Sequence, residues 1–243
     1  MNKDYLSNIR MLIDRLENTQ AEVIDKVSAL CAERVKNGGL MYFFGTGHSH
    51  MICEEPFYRA GGLACVYPIL ETDLMLHEGA SKSSIYERMP GLGGAIIDHR
   101  PLGAGDVLFL ISNSGRNAVI VDAAARAKEK GALTVAITSV RHSSSVSSRH
   151  PSGKRLFEVC DFVIDNGGIP GDACVTLEGL SQTIAPTSTV IDVSIVNLIS
   201  IGTAQKLIES GVTPLVFTSA NTDKGDSANK SIIDEYKRRI PIL

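Results

Sequence analysis

The stretch VLFLISNSGRN, residues 107–117, decides the fold class of this chain. It begins with a continuous apolar run, which is typical of a strand buried on both faces, and it ends in small polar residues. Residues 118–130 then show helical periodicity up to a stop at Gly131, and a second apolar run follows at 133–138. This strand–helix–strand order predicts two parallel strands joined by a right-handed crossover.

The same pattern extends outward in both directions. Short apolar runs at 40–44, 64–67 and 161–165 predict further buried strands. Residues 4–35 contain neither Pro nor Gly and predict a long amino-terminal helix. This helix would cap the domain or pack against another subunit. A second strong helix is predicted at about 187–210. Residues 69–105 and 141–155 interrupt the alternation and are interpreted as functional loops or solvated linkers.

Composition excludes several classes of protein. The 243 residues are 44% hydrophobic and 21% charged, which excludes global disorder, and the net charge of -3 provides no bulk field for a nucleic-acid partner. Five cysteines without a CxxC motif indicate neither a disulfide framework nor structural zinc. No apolar run suggests a membrane span and the amino terminus is charged, so we expect a cytoplasmic protein without a membrane partner.

Hydroxyl-rich and glycine-rich segments follow the predicted strands, where ligands bind in open parallel sheets. A helix that begins after such a loop offers free N–H groups and the positive end of its dipole, which together can hold a phosphate; the alternative is that these residues only cap helices. A GxGxxG fingerprint fails at His50, and no P-loop motif occurs. The candidate phosphate-binding residues are Gly45, Thr46, Gly47, His48, Ser49, Ser112, Asn113, Ser114, Gly115, Arg116, Asn117, Thr187, Ser188 and Thr189.

The segments FGTGHS, LISNSGRN, GALTVAITS and PTSTV resemble the sugar isomerase (SIS) domain family over about residues 35–210. LMLHEGASKSS, SRHPSGKRL and the carboxyl-terminal segment resemble an uncharacterised subgroup labelled phosphoheptose isomerase by resemblance alone. The resemblance implies a flavodoxin-like α/β/α sandwich with a five-stranded parallel sheet, no cofactor, a phosphorylated sugar as ligand, and homodimers or homotetramers with shared sites. It also implies one SIS domain over 1–243, with a helical extension (1–37), a core (38–215) and a tail (216–243).

We therefore expect a sugar-phosphate aldose–ketose isomerase; the alternatives are a non-catalytic phosphosugar-binding regulator and an amino-sugar phosphate etherase. Isomerisation through an enediol needs a base and a group that helps to open the ring. The candidates are Glu55, then Glu54, and His77 with Glu78, which equally fit an exposed ion pair. Related isomerases carry a Glu where this chain has Arg59. A metal site built on His50 and its neighbours has no dense motif to support it, so no metal is predicted.

Overall fold

A five-stranded parallel sheet lies at the centre of the computed structural model, which describes residues 3–222 and 225–243. The strand order is β2-β1-β3-β4-β5, and a short antiparallel pair, β6-β7, stands apart from it. The flavodoxin-like α/β prediction is confirmed. The strands are β1 (Met41–Gly45), β2 (Val66–Ile69), β3 (Val107–Ile111), β4 (Leu133–Thr138), β5 (Phe162–Asp165), β6 (Ala173–Val175) and β7 (Ile184–Pro186).

The central strands are apolar because both faces of the sheet are covered. Every residue of β1 and β3 is buried, and Phe43 pairs in register with Phe109, whose ring stacks on it at 4.7 Å between centroids. The covering helices are α1 (Lys3–Lys36), α2 (His50–Glu54), α3 (Ala80–Tyr86), α4 (Leu92–Asp98), α5 (Ala118–Glu129), α6 (Val140–Ser144), α7 (Ser188–Glu209) and α8 (Gly225–Tyr236). Two helix pairs, α1 with α7 and α4 with α5, pack on the sheet and produce the layered sandwich.

The helices α1 and α7 approach each other closely where Ser28 meets Gly202. A Cβ atom at Gly202 would lie 2.5 Å from the Ser28 Oγ, and that hydroxyl donates to the Ile199 carbonyl at 3.5 Å. Glycine is required here because a side chain would push the two helices apart. This contact joins residues 171 positions apart in the sequence.

The helix α7 differs from expectation in one respect. By length and composition alone its 22 residues, with a mean hydropathy of 1.3, could cross a membrane, although no such run was anticipated. In this fold Ile191, Ile195 and Ile199 face the main core, and the same helix buries the carboxyl group of Asp192. One face of α7 is therefore apolar because it packs in the core, while Leu198 and Ile201 on the same helix remain exposed.

The two interruptions and the carboxyl-terminal segment contain short helices. Residues 69–105 hold α3 and α4, residues 141–155 hold most of α6, and the predicted tail contains α8. The main hydrophobic core includes Leu12 and Leu16 of α1 as well as Ile240 near the end of the chain. The predicted extension and tail thus contribute to the same core as the sheet.

Candidate functional site

The strand order reverses between β1 and β3, because β2 lies on one side of β1 and the rest of the sheet lies on the side of β3. The loops that follow β1 and β3 therefore begin at the switch point of the sheet, where a crevice forms in open α/β folds. These are the 45–49 loop and the 112–117 loop. The topology places both groups of predicted residues at the same sheet edge.

The 112–117 loop turns sharply at Gly115. The φ angle of Gly115 is +56°, and its N–H donates to the Ser112 Oγ at 3.1 Å, which closes the turn. A Cβ at this position would lie 3.1 Å from the Leu156 Cβ and from the Ser143 Oγ, so the loop packs directly against residues 143–156. Helix α5 begins immediately after the buried Asn117, so its amino-terminal turn adjoins this loop.

Three buried side-chain atoms around this loop have no hydrogen-bond partner among the described residues: Arg116 Nε, His142 Nδ1 and Ser143 Oγ. Ser143 is completely buried, and its hydroxyl lies against Gly115. The pKa of His142 is lowered, mainly by burial and also by Arg116, against the opposing effect of Asp172. Because unpaired buried polar atoms are costly, their concentration around one loop makes this loop the candidate binding site for a polar group.

The 45–49 loop is held by its own contacts. A Cβ at Gly45 would lie 2.9 Å from the Ser49 Cβ, so the short 3-10 helix Gly47–Ser49 rests directly on the end of β1. Thr46 Oγ1 donates to Glu87 Oε2 at 3.0 Å, and the Glu87 carbonyl accepts the N–H of Val119 in α5 at 3.2 Å. Glu87 thereby connects the 45–49 loop with the first turn of α5. His48 is exposed at the surface.

The predicted catalytic carboxylate Glu55 lies at the end of α2, beside α7. Its Oε1 accepts hydrogen bonds from Arg59 and from the Asn197 Nδ2, the latter at 3.2 Å. Asn197 is nine residues beyond Ser188, which places Glu55 level with a point about 13 Å along α7 from its amino terminus. Glu54 is exposed and lies 3.7 Å from the His50 Nε2. Both carboxylates already have cationic or polar neighbours.

His77 and Glu78 precede α3 and are exposed. The exposed ion pair considered from the sequence joined His77 and Glu78; in the structure Glu78 pairs with Lys82 at 3.4 Å, and Lys82 also pairs with Asp73 at 2.7 Å. The His77 ring lies 6.2 Å from the ring of His50, which follows the 45–49 loop. The structure therefore brings His77, but not the carboxylate of Glu78, toward this part of the sheet edge.

The hydroxyl cluster at the start of α7 already binds an anion, the carboxylate of Asp172. Asp172 Oδ1 accepts from Thr187 N (3.0 Å), Thr187 Oγ1 (3.1 Å) and Ser188 N (2.9 Å), while Oδ2 accepts from Ser188 Oγ at 2.5 Å. Asp172 adopts a φ of +67°, which directs its side chain at the helix. The Asp172 carboxylate therefore caps the start of α7, with Thr187 and Ser188 as its donors, and Thr189 is half-buried beside them.

A buried polar chain connects the 112–117 loop with α7. Asn166 Nδ2 donates to Asn113 Oδ1 at 3.1 Å and to Asp192 Oδ1 at 2.9 Å. Burial raises the pKa of Asp192 to about 7, against the lowering effect of Asn166 and with a further rise caused by the charge of Asp172. Asp192 is therefore close to half-protonated at neutral pH.

Several of these residues carry no local sequence signal. Glu87, Asn166, Asp172 and Asp192 lie outside the predicted strand-end motifs, and only the pairing of distant segments reveals their contacts. Arg149 was noticeable as part of the basic segment 141–155, and its side chain contacts Asn117. Within residues 3–222 and 225–243, no group of three His, Cys, Asp or Glu side chains is placed to hold a metal ion.

Comparison with known proteins concerns the family and the fold of this chain. The SIS domain model matches residues 4–139. UPF0309 protein lin2794 of Listeria innocua is 41% identical over 243 residues, which cover all of this chain and 98% of that protein. Phosphoheptose isomerase GmhA of Neisseria gonorrhoeae is 16% identical with a TM-score of 0.53, over 83% of this chain and 94% of that one. A phosphoheptose isomerase of Francisella tularensis is 14% identical with a TM-score of 0.56, over 84% and 96%. The two structures share the fold of this chain.

Proposed function

This chain belongs to the SIS domain family, and we propose that it binds a sugar phosphate with the phosphate group on the 112–117 loop. One observation carries the proposal: Arg116 Nε, His142 Nδ1 and Ser143 Oγ are buried around this loop without partners among the described residues. A phosphate supplies the acceptor oxygens that these groups lack, and it would lie at the amino terminus of the 12-residue helix α5, where the helix dipole favours negative charge.

The individual contributions follow from the loop geometry. The positive φ of Gly115 and its lack of a Cβ let the loop backbone pack directly against Ser143, which brings the unpaired Ser143 hydroxyl to the loop. Ser114 is half-buried in the middle of the loop and offers a hydroxyl donor. Thr187 and Ser188 do not take part directly in this proposal, because Asp172 occupies their donors.

We further propose aldose–ketose isomerisation as the reaction, with His77 as the proton-transfer group. The contact that favours this assignment is the 6.2 Å approach of the His77 ring to His50, directly after the 45–49 loop. An imidazole can act as a general acid or base in proton transfer. Glu55 is the weaker candidate because its carboxylate already accepts hydrogen bonds from Arg59 and Asn197.

Ligand binding tests the first part of the proposal. Calorimetric titration with hexose 6-phosphates should show saturable binding, and the unphosphorylated hexoses should not bind. Ser143→Ala and Ser114→Ala should each weaken binding of the phosphate ligand about 10- to 150-fold, the loss expected for one hydrogen bond to a charged group. Ser144→Ala, on the exposed neighbour of Ser143, provides the matched control. Equal binding of phosphorylated and unphosphorylated sugars would contradict the proposal.

Solvent exchange tests the second part. During turnover in D₂O an isomerase that uses an enediol should introduce deuterium beside the carbonyl carbon of the sugar, whereas a binding protein leaves the sugar unlabelled. His77→Gln should abolish labelling and retain ligand affinity. Labelling that survives His77→Gln but is lost in Glu55→Gln would transfer the base to Glu55.

We also propose that a second copy of this chain covers an apolar groove between α1 and α7. The groove has a volume of about 580 Å³, and Ile13, Leu198 and Ile201 contribute exposed apolar side chains to it. It lies away from the 112–117 loop. Apolar surface of this kind commonly marks an interface between proteins.

A further inference from the structure

Three arginines gather at the outer rim of the 112–117 loop. Arg149 donates from its backbone N–H to the Arg116 carbonyl at 2.8 Å and from Nη1 to the Asn117 Oδ1 at 3.0 Å. Arg88 directly follows Glu87, whose carbonyl binds the first turn of α5. The pKa of Arg149 is lowered by burial and by the charges of Arg116 and Arg88, while Glu87 opposes this shift.

None of the three guanidinium groups forms an ion pair with a carboxylate in the described part of the chain. Arg116 reaches only the Ser147 hydroxyl, at 3.3 Å, and its Nε is buried without a partner. The Glu87 carboxylate is bonded to Thr46 Oγ1, so one acid stands near three cations. Like charges this close disfavour the folded protein, and an anion between them would remove that cost.

The donors proposed for the phosphate are the Arg116 Nε, the His142 Nδ1 and the hydroxyls of Ser143 and Ser114, which lie on or beside the 112–117 loop. The side chains of Arg88 and Arg149 are additional to these donors. Both arginines are exposed; Arg149 is bonded through its backbone to Arg116, and Glu87, which precedes Arg88, is bonded to Val119 at the start of α5.

We propose that the ligand of this site is a phosphosugar with a second anionic group, and that Arg88 and Arg149, beside Arg116 at the phosphate, form the subsite for that group. This inference rests on the proposed phosphate site in the 112–117 loop. The second group is a phosphate or a carboxylate, because guanidinium forms paired hydrogen bonds with either of them. Arg88 and Arg149 determine specificity in this arrangement, since they add affinity only when the second anion is present.

The test compares D-fructose 6-phosphate, D-fructose 1,6-bisphosphate and 6-phosphogluconate by calorimetric titration at fixed ionic strength. Wild-type protein should bind at least one of the two doubly anionic sugars ten or more times more tightly than the monophosphate. Arg149→Gln and Arg88→Gln should each reduce this preference to less than threefold and change the monophosphate affinity by less than threefold. Tighter binding of D-fructose 1,6-bisphosphate would identify the second anion as a phosphate, and tighter binding of 6-phosphogluconate would identify it as a carboxylate.

Two variants serve as controls. Lys154→Gln removes one positive charge from an exposed position on the same segment as Arg149 and should preserve the preference. Arg149→Lys keeps the charge but loses the paired geometry, so it should retain a reduced preference. Arg149→Gln removes the hydrogen bond between Arg149 and Asn117 and could disturb folding. Arg88→Gln tests the same subsite without this risk, because the exposed Arg88 side chain has no hydrogen-bond partner among the described residues.

The possible results separate the two proposals. Equal affinity for singly and doubly anionic sugars would overturn the second subsite while the phosphate site stands. An equal loss of both ligands in Arg149→Gln would do the same, since it would assign the arginine to the single phosphate. If no sugar phosphate binds to the wild-type protein, both the subsite and the proposed function are wrong.

Discussion

Replacement of Asp172 by Asn tests whether the start of α7 is a helix cap or an anion site. Asn tolerates the positive φ of +67° found at this position, and its Oδ1 can still accept the N–H groups of Thr187 and Ser188. The substitution therefore removes the negative charge and the short 2.5 Å contact of Oδ2 with the Ser188 hydroxyl, but preserves the shape of the cap.

The expected destabilisation is about 1–2 kcal/mol. Favourable interaction of a carboxylate with a helix amino terminus contributes roughly 0.3–1 kcal/mol. Conversion of charge-assisted hydrogen bonds into neutral ones accounts for the remainder, about 0.5–1 kcal/mol after partial compensation by the amide. For a protein of 243 residues this corresponds to a fall in Tm of roughly 3–6 °C.

Differential scanning calorimetry on Asp172→Asn and on Asp14→Asn measures this effect. Asp14 is an exposed acid on α1, so its substitution should leave Tm within about 1 °C of wild type. Sugar-phosphate affinity should change less than twofold in Asp172→Asn. Unchanged stability together with a tenfold gain in affinity would refute the reasoning, because it would show that Asp172 blocks a phosphate position.

Three further predictions concern other parts of the molecule. Burial raises the pKa of Asp192 above its unfolded value of 3.8. The contribution of this group to the free energy of unfolding is therefore complete below pH 4 and declines as the pH rises toward 7. The free energy of unfolding of Asp192→Asn, measured across that pH range, should lack this decline. Gly115→Ala should abolish sugar-phosphate binding in titrations, because φ is +56° and Ser143 and Leu156 occupy the space of its Cβ, whereas Gly103→Ala, in open space, should bind normally. Light scattering should show that Ile201→Glu dissociates the proposed dimer and that Ile85→Glu, equally 63% exposed on α3, does not.

The fold could be predicted because its signals are local. Apolar runs such as 107–111 and 133–138 became β3 and β4, and the glycine stop at 131 ended α5 within one residue of expectation. The long helix without Pro or Gly was observed as α1. Strands buried on both faces show this pattern regardless of what binds at their ends.

The site could be predicted only in part. The 112–117 loop could be identified because the carboxyl ends of all parallel strands lie at the same edge of the sheet, where ligands bind in open α/β folds. It did not identify the Asp172 carboxylate at Ser188 or the link from Asn166 to Asp192, because these contacts join segments 16 and 26 residues apart through a specific packing. Helix length also matters: α2 ends at Glu54, so Arg59 lies beyond the helix that was expected to carry both Glu55 and Arg59. The contact of Glu55 with Asn197 on α7 could not be predicted from helical spacing.

The close crossing of α1 and α7 has a consequence for biosynthesis. The first helix leaves the ribosome with its apolar side chains ready to pack, but the segment around Gly202 that receives Ser28 is translated about 170 residues later. At roughly 5–20 residues per second this delay lasts on the order of 10–30 s. During that interval the nascent chain exposes the apolar face of α1. This protein should therefore depend on chaperones during translation more than a protein in which packed helices are consecutive in the sequence.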